Sequence, residues 1–195
     1  MSARLVFILL CCGLVASPSA GAMSLLFKRG ETSTAAEPSA ERAAEIAAEY
    51  RRLVADLVVV EKSERRLYLV KDERPLRSYP ISLGFAPKGP KEREGDGRTP
   101  EGRYVLDWRR TQSQFYKAIH ISYPSARDRS HAASMGVDPG GLIMIHGQPR
   151  PNEHAELQAL VRNEDWTQGC IAVSNQAIDE IWEATRNGTP IEIRP

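Results

Sequence analysis

Residues 57–70 read LVVVEKSERRLYLV and carry the clearest local signal of secondary structure in the chain. Two short runs of apolar, mostly β-branched and leucine residues flank the polar segment Lys62-Ser63-Glu64-Arg65. Short apolar runs of this kind, bounded by polar turn residues, predict two strands joined as a hairpin. We therefore expect a sheet to begin at Leu57.

Similar short runs continue toward the C-terminus, and helical spacing of apolar residues occurs before and between them. The pattern predicts a mainly β domain with peripheral helices, of the α+β class, over residues 57–195. The predicted strands are residues 57–60, 67–70, 79–84, 103–108, 118–122, 142–146, 171–174 and 190–193, and the predicted helices are residues 39–57, 153–162 and 175–187.

Two long segments have the composition of loops. Residues 87–102 (PKGPKEREGDGRTPEG) are so rich in Gly, Pro and charge that they predict an exposed loop, too polar to be buried. Asp96 and Arg98 are expected to fix its turn through hydrogen bonds. Residues 123–140 predict a second loop, which is either a lid over a site or a plain surface excursion.

The N-terminus has the pattern of an export signal. Arg4 precedes the apolar run Leu5–Ala16, and Ala20-Gly21-Ala22 fits a small-x-small cleavage site. The run is shorter than the roughly 20 residues that span a membrane. We expect residues 1–22 to be a cleaved signal peptide, residues 23–56 to be a linker and a helix, and no stable membrane span to remain.

The charge balance argues against two classes of partner. Lys and Arg number 26 against 25 Asp and Glu, which gives a formal charge of +1. Nucleic acids and anionic membrane surfaces attract an excess of basic residues. Neither is therefore expected as the main partner.

Cys170 is the one cysteine that remains once the signal, with Cys11 and Cys12, is removed. A lone thiol in an oxidising compartment is a liability unless it is buried or needed. Gly169 before it permits a tight turn whose N–H groups can point at one spot. The pattern fits either a nucleophile with a backbone oxyanion hole or a small core residue.

Two histidines are candidates for a base near that thiol. His146 ends the run GLIMIHG (residues 141–147), so its ring is expected at a strand end. Near Cys170 it can take the thiol proton, lower the thiol pKa and leave a thiolate; otherwise it is structural. His120 is expected to be a hydrogen-bonded wall residue that can also line the site.

A zinc peptidase is a further alternative, because His131 and Asp138 match the His-x6-Asp half of a zinc motif. The second half, a later His-x-His, is absent, since Gly147 and Gln148 follow His146. A catalytic zinc ion needs three protein ligands. Chance spacing in a loop is therefore favoured, and neither a metal nor a cofactor is expected.

The pair His146-Gly147, followed by Thr167-Gln168-Gly169-Cys170-Ile171, resembles the motif of the L,D-transpeptidase catalytic domain, the YkuD-like family. Residues 81–84 (ISLG) and 94–102 (EGDGRTPEG) also look like this family, in the right order. The resemblance covers about residues 57–195. It implies a β-sandwich-type domain, a periplasmic location, and a cysteine acyltransferase that acts on peptidoglycan stem peptides without a cofactor.

The resemblance also assigns roles to residues. Cys170 is the expected nucleophile and His146 the general base. In the family's usual reaction the sulfur attacks the carbonyl at the L-centre of a diamino acid in a tetrapeptide stem, D-alanine leaves, and an amine of a second stem resolves the thioester. The expected oxyanion-binding or substrate-binding residues are Gly169, Thr167, Gly147 and His120.

Two positions depart from the family's usual motif. Gln168 stands at the place of a histidine, and Ala172 at the place of an arginine whose guanidinium can bind a carboxylate. The form Gly-Cys-x-Ala resembles the YafK-like branch, where hydrolysis is also known. A hydrolase of stems, or of the bond to a peptidoglycan-linked lipoprotein, is therefore the alternative, and a non-catalytic murein-binding module is a third.

Overall fold

The computed structural model describes residues 39–112, 114–150 and 164–195. The predicted signal peptide (residues 1–22) and the predicted helix at residues 153–162 lie outside the described residues. Within the described part of the chain, no helix is both long enough and apolar enough to cross a membrane.

Within the described ranges, eight strands form one hydrogen-bonded sheet in the order β3-β2-β1-β8-β4-β5-β6-β7. The pairs β1–β8 and β6–β7 are parallel, and the other neighbours are antiparallel. The predicted mainly β fold with peripheral helices is confirmed. The elements are α1 (Ala40–Leu53), β1 (Leu57–Glu61), β2 (Arg66–Lys71), β3 (Arg74–Pro80), β4 (Gly102–Arg110), β5 (Ala118–Ile121), α2 (Ala126–Ser134), β6 (Met144–His146), β7 (Ile171–Ala172), α3 (Asn175–Ala184) and β8 (Thr189–Arg194).

The hairpin predicted from residues 57–70 is present. Strands β1 and β2 pair antiparallel, with Val58 opposite Leu69 and Val60 opposite Leu67, and all four side chains are buried. The predicted first helix is also present as α1, whose N-cap Ser39 accepts a hydrogen bond from the backbone of the third residue along. It ends before residue 57 because Val54 is extended and leads into β1.

Two predicted elements were wrong in part. The segment at residues 123–140 is not only a loop, because it contains α2, whose N-cap Ser125 forms a capping box with Asp128. Among the residues of α2 only Ala132 is buried, so the helix has no apolar stripe that would predict it. Strand β3 starts at Arg74 rather than at residue 79. The sequence does not predict its first residues as a strand, because they are exposed and have no alternating apolar pattern.

The polar segment Pro87–Glu101, named here the strap, is also not a fully exposed loop. Lys91, Gly97, Thr99 and Pro100 within it are buried. Polar residues can be buried when their groups are hydrogen-bonded, and the strap meets that condition. It packs against the part of the sheet that carries Cys170.

The sheet also curves so that its two edges approach. Ser82 follows edge strand β3 and exchanges both backbone hydrogen bonds with Ala172 in β7, the opposite edge strand, at N–O distances of 2.9 Å. Strand β7 therefore has a neighbour on each side. This fixes the short segment that begins directly after Cys170.

Candidate active site

Cys170 and His146 lie on the same face of the sheet. In the parallel pairing of β6 with β7, His146 is opposite Ala172, so the same register carried back places Cys170 opposite Met144. Alternate residues of a strand share a face. Strand spacing and rise put the two Cα atoms about 8 Å apart. The alternate residues, including Ile145 and Ile171, point into the core.

The residues Thr167–Cys170 form a tight turn, named here the nucleophile turn. The Thr167 hydroxyl donates to the Cys170 carbonyl oxygen at 2.7 Å and accepts from the Gly169 N–H at 3.1 Å. Thr167 is buried, so it closes the turn from behind rather than lining the open site. Gly169 has φ +126°, and a β-carbon there would lie 2.6 Å from the Arg98 carbonyl oxygen. Only glycine fits this position.

The turn offers one backbone donor beside the sulfur. The Gly169 N–H is not available as the expected oxyanion donor, because it already donates to the Thr167 hydroxyl. The Cys170 N–H makes no hydrogen bond with any residue that the structure describes. An oxyanion formed next to the sulfur would therefore find the Cys170 N–H but not that of Gly169.

The Cys170 thiol is surrounded by protein, although the residue is partly exposed. Its Sγ lies 3.6 Å from the Leu142 carbonyl oxygen, which accepts the S–H proton. Burial raises the thiol pKa above its ordinary value, and the Met144 N–H and the Lys91 ammonium offset this only in part. The resting thiol is therefore protonated at neutral pH, in contrast to the thiolate that the sequence predicted.

His146 is buried, and its environment determines which nitrogen carries the proton. Nδ1 lies 2.7 Å from the Gly147 carbonyl oxygen, which can only accept, so Nδ1 donates and Nε2 is the unprotonated nitrogen. The ring stacks on Phe115 at 4.2 Å between centroids and meets the edge of Trp166 at 5.7 Å. Burial lowers the His146 pKa to about 4, against the raising effect of the Gly147 carbonyl.

His146 is therefore neutral at neutral pH and can act as a proton acceptor. No hydrogen bond joins His146 to Cys170 among the described residues. Hydrogen bonds of catalytic pairs are often loose without substrate and tighten when it binds. The arrangement is a neutral imidazole and a neutral thiol on one face, which can transfer a proton when the sulfur attacks.

The other two predicted site residues have distinct positions. Gly147 orients the His146 ring through its carbonyl, and a β-carbon there would lie 2.6 Å from the Asn175 side-chain oxygen. His120 lies opposite Met144 in the register of β5 and β6, so it shares the face of Cys170. Its Nδ1 is 2.6 Å from the Asp107 carboxylate. Gly147 is thus a positioning residue, and His120 forms a wall on the open face.

The structure also brings in residues that the sequence analysis missed. The Arg65 guanidinium binds the Asp165 carboxylate at 2.7 Å, and this carboxylate accepts the Leu83 N–H at 3.0 Å. These contacts fix the segment that leads into Trp166 and the nucleophile turn. No sequence signal could have paired Arg65 with Asp165, because the two are 100 positions apart. Lys91 of the strap was missed as well.

The suspected half of a zinc motif is not assembled into a site. His131 lies in the last turn of α2, and the Asp138 carboxylate accepts the Gly140 N–H at 2.8 Å. Within the described ranges, no group of three His, Cys, Asp or Glu side chains could hold a metal ion.

Replacing Thr167 with valine is expected to destabilise the fold by about 2–6 kcal/mol, because two backbone groups, one buried and one partly buried, lose their partner at roughly 1–3 kcal/mol each. Valine keeps the shape of the side chain but removes the hydroxyl. Urea unfolding measures the change. Thr167→Ser is the matched control, since it keeps the hydroxyl and loses one methyl group, at a cost of roughly 1 kcal/mol. Equal stability of the two variants would show that the hydroxyl does not hold the turn.

Comparison with known proteins identifies the family of this domain. The family model for the L,D-transpeptidase catalytic domain, YkuD, matches residues 55–193. YafK of Escherichia coli (strain K12), whose name places it among the L,D-transpeptidases, is 36% identical over 110 residues, which are 55% of this chain and 36% of YafK. The chain thus spans about a third of that relative's length.

A solved structure with the same domain fold is the helical cell shape determining protein Pgp2 from Campylobacter jejuni. It superposes with a TM-score of 0.54 and 25% sequence identity, over 71% of this chain and 46% of Pgp2. The matched family domain covers most of the chain and includes both His146 and Cys170. The chain belongs to the YkuD family of L,D-transpeptidase catalytic domains.

Proposed function

We propose that this protein is a periplasmic cysteine L,D-transpeptidase that acts on the stem peptides of peptidoglycan. The observation that carries the proposal is the placement of the Cys170 thiol and the neutral His146 imidazole on one face of adjacent strands. Membership of the family supports the reaction class. The predicted export signal at residues 1–22 supports the location.

In the first half-reaction the Cys170 sulfur attacks the carbonyl at the L-centre of the diamino acid in a tetrapeptide stem. His146 Nε2 takes the thiol proton as the S–C bond forms, because the thiol is protonated at rest. The Cys170 N–H donates to the oxyanion. The C–N bond then breaks, His146 returns the proton to the leaving amine, and D-alanine departs from a thioester.

In the second half-reaction an amine of another stem attacks the thioester carbonyl. His146 Nε2, neutral again, accepts a proton from the attacking amine, and an amide bond forms as the S–C bond breaks. The proton returns to the Cys170 sulfur. The products are a cross-linked pair of stems and the resting thiol.

Hydrolysis of the same thioester is the second candidate function, and Ala172 is the observation that favours it. Ala172 is buried and bonds to Ser82 through both of its backbone groups. No guanidinium is present at this position, where the usual motif of the family supplies one. With that group absent, water instead of an amine can attack the thioester. The protein would then be a hydrolase, either of stem peptides or of the bond between a stem and a lipoprotein.

The test incubates the purified protein with tetrapeptide muropeptides and identifies the products by mass spectrometry, with a Cys170→Ala protein as the blank. Dimers that lack one D-alanine and need Cys170 would support transpeptidation. Shortened monomers without dimers would select hydrolysis. If neither these muropeptides nor whole sacculi change, while the protein binds sacculi without its thiol, the chain is a murein-binding module. Fractionation of cells that express the tagged protein tests the periplasmic location.

The pH dependence of kcat/KM is expected to follow His146. Below a pH of about 4 the imidazole is protonated and cannot accept the thiol proton, so activity falls there. Above it the base is ready, so kcat/KM rises through this pH and then stays level to neutral pH. Release of D-alanine measured over roughly pH 3 to 8 checks the profile. An inflection near pH 6.5, the ordinary value for histidine, would contradict it.

A further inference from the structure

Two buried lysines hold the strap in place, and the first of them, Lys62, uses all three of its ammonium protons for this. The Lys62 ammonium, which comes from the turn after β1, donates to the carbonyl oxygens of Gly89 (2.7 Å) and Thr99 (3.0 Å) and to the Glu101 carboxylate (2.8 Å). Its three protons therefore all have partners. Lys62 ties the two ends of the strap together.

The second lysine lies inside the strap. The Lys91 ammonium donates to the Asp96 carboxylate at 2.8 Å and to the Arg93 carbonyl oxygen at 2.9 Å, and the side chains of Lys91 and Asp96 are only 3% and 8% exposed. Asp96 accepts three backbone N–H groups as well, from Glu92, Arg93 and Arg98. Burial raises the Asp96 pKa, but Lys91 and these N–H groups outweigh it, so this pKa is lowered.

The Lys91–Asp96 pair connects directly to the nucleophile turn. Asp96 Oδ1 accepts the Arg98 N–H at 3.1 Å, and the Arg98 carbonyl oxygen lies against Gly169, where it leaves no room for a β-carbon. One residue earlier, the Gly97 carbonyl lies against Gly84 in the same way. The strap backbone is thus in contact with the residue that precedes Cys170.

Stability alone is a weak explanation for a buried ion pair. Replacing such a pair by apolar side chains is often neutral or stabilising, because desolvation cancels the attraction. The positive charge of Lys91 lowers the pKa of the Cys170 thiol. Lys62, by contrast, binds the two ends of the strap, at Gly89 and at Thr99 and Glu101. The two buried lysines therefore differ in what they can do for the nucleophile.

We propose that Lys91 is a positioning residue for Cys170. Through Asp96 and Arg98 it holds the nucleophile turn in place, and its ammonium charge stabilises the negative charge that develops on the sulfur during attack. Asp96 limits this effect, because its carboxylate neutralises part of the ammonium field. The inference rests on the proposed role of Cys170 as the nucleophile, but its test needs no substrate.

The test is the pH profile of Cys170 alkylation by iodoacetamide, measured on the purified protein and its variants. Alkylation follows the thiolate fraction. Lys91→Met is expected to slow alkylation roughly fivefold near neutral pH and to move the profile to higher pH. Asp96→Asn is expected to move it to lower pH, because the ammonium then acts unopposed. If the two variants only loosened the nucleophile turn, both profiles would shift in the same direction. Opposite shifts therefore indicate an effect of charge.

Two further variants separate charge from structure. Lys91→Arg keeps the positive charge, and its alkylation rate is expected to stay within about twofold of the wild-type rate at each pH. Lys62→Met removes the other buried lysine and is expected to lower the Tm without moving the profile. The proposal is overturned if Lys91→Met and Asp96→Asn shift the profile in the same direction, or if Lys62→Met shifts it as far as Lys91→Met.

If circular dichroism shows that Lys91→Met does not fold, Asp96→Asn decides the matter, because an unchanged or upward-shifted profile overturns the proposal. Muropeptide turnover is measured on the same samples. Opposite alkylation shifts in a protein that leaves muropeptides unchanged would support the role of Lys91 and refute the proposed transpeptidation. The two failures are therefore distinguishable.

Discussion

Replacing His146 with glutamine is expected to lower the rate of thioester formation roughly 10³-fold. Glutamine can still donate to the Gly147 carbonyl oxygen, which His146 Nδ1 now contacts at 2.7 Å, so the local structure is largely kept. It has no unprotonated nitrogen to accept the thiol proton. Because burial raises the thiol pKa, the protonated resting sulfur depends on that acceptor. Single-turnover release of D-alanine measures the effect.

His120→Gln is the matched control for this experiment. His120 lies on the same face as Cys170, but its Nδ1 is occupied by Asp107 and its ring stacks on Trp108. Its loss is expected to reduce the rate no more than roughly tenfold, as for a residue that only forms the wall. Equal losses in the two variants, or a His146→Gln protein with near wild-type activity, would mean that the base is elsewhere.

Replacing Gly84 with alanine is expected to destabilise the fold by about 3 kcal/mol and to reduce activity roughly 100-fold. A β-carbon at this position would overlap the Gly97 carbonyl group and would lie 3.0 Å from the Gly169 Cα. All these atoms are backbone, so no flexible side chain can move away. The strap and the nucleophile turn would have to separate, which displaces Cys170. Thermal unfolding and D-alanine release measure the two effects.

Gly141→Ala provides the control with the same chemical change. Gly141 precedes β6, and a β-carbon there would meet its nearest neighbour, the Pro124 side chain, at an ordinary 3.9 Å. We expect this variant to stay close to the wild type in stability and activity. If Gly84→Ala behaved like Gly141→Ala, the contact of strap and nucleophile turn would not be needed for the site.

Much of the sheet could be predicted from the sequence because its strands follow local rules. In the hairpin at residues 57–70, an unbroken apolar run on one side and an alternating run on the other flank a polar turn, which is a local signal for two strands. Two short, mostly apolar strands are also local signals: β6, which ends at His146 and is followed by Gly147, and β7, which begins directly after Cys170. Helix α2 and strand β3 lack such a pattern, because most of their side chains are exposed.

The residues of the candidate site could be predicted from the sequence, but their protonation states could not. The types and order of His146 and Cys170 are visible in the chain. Their pKa directions are not, because they depend on burial by segments distant in sequence, such as Phe115 against the imidazole. The sequence also does not show that the Thr167 hydroxyl competes for the Gly169 N–H, which was expected to be an oxyanion donor.

The strap shows why polarity alone is a poor guide to burial. A segment with many charges is expected at the surface unless each charge has a partner. Lys91 and Asp96 supply each other with partners, and Lys62 reaches the strap from a different part of the chain. Partners of this kind are known only once the chain is folded.

The position of β8 has a consequence for when the sheet can be completed. Strand β8 follows all the other strands in chain order, yet it lies in the middle of the sheet between β1 and β4. Until residues 189–194 have been made, β1 and β4 lack the strand that joins them, and the two halves of the sheet are linked at their outer edges, where Ser82 pairs with Ala172, but not at the centre. The complete sheet that supports Cys170 therefore forms only after its last strand has been synthesised.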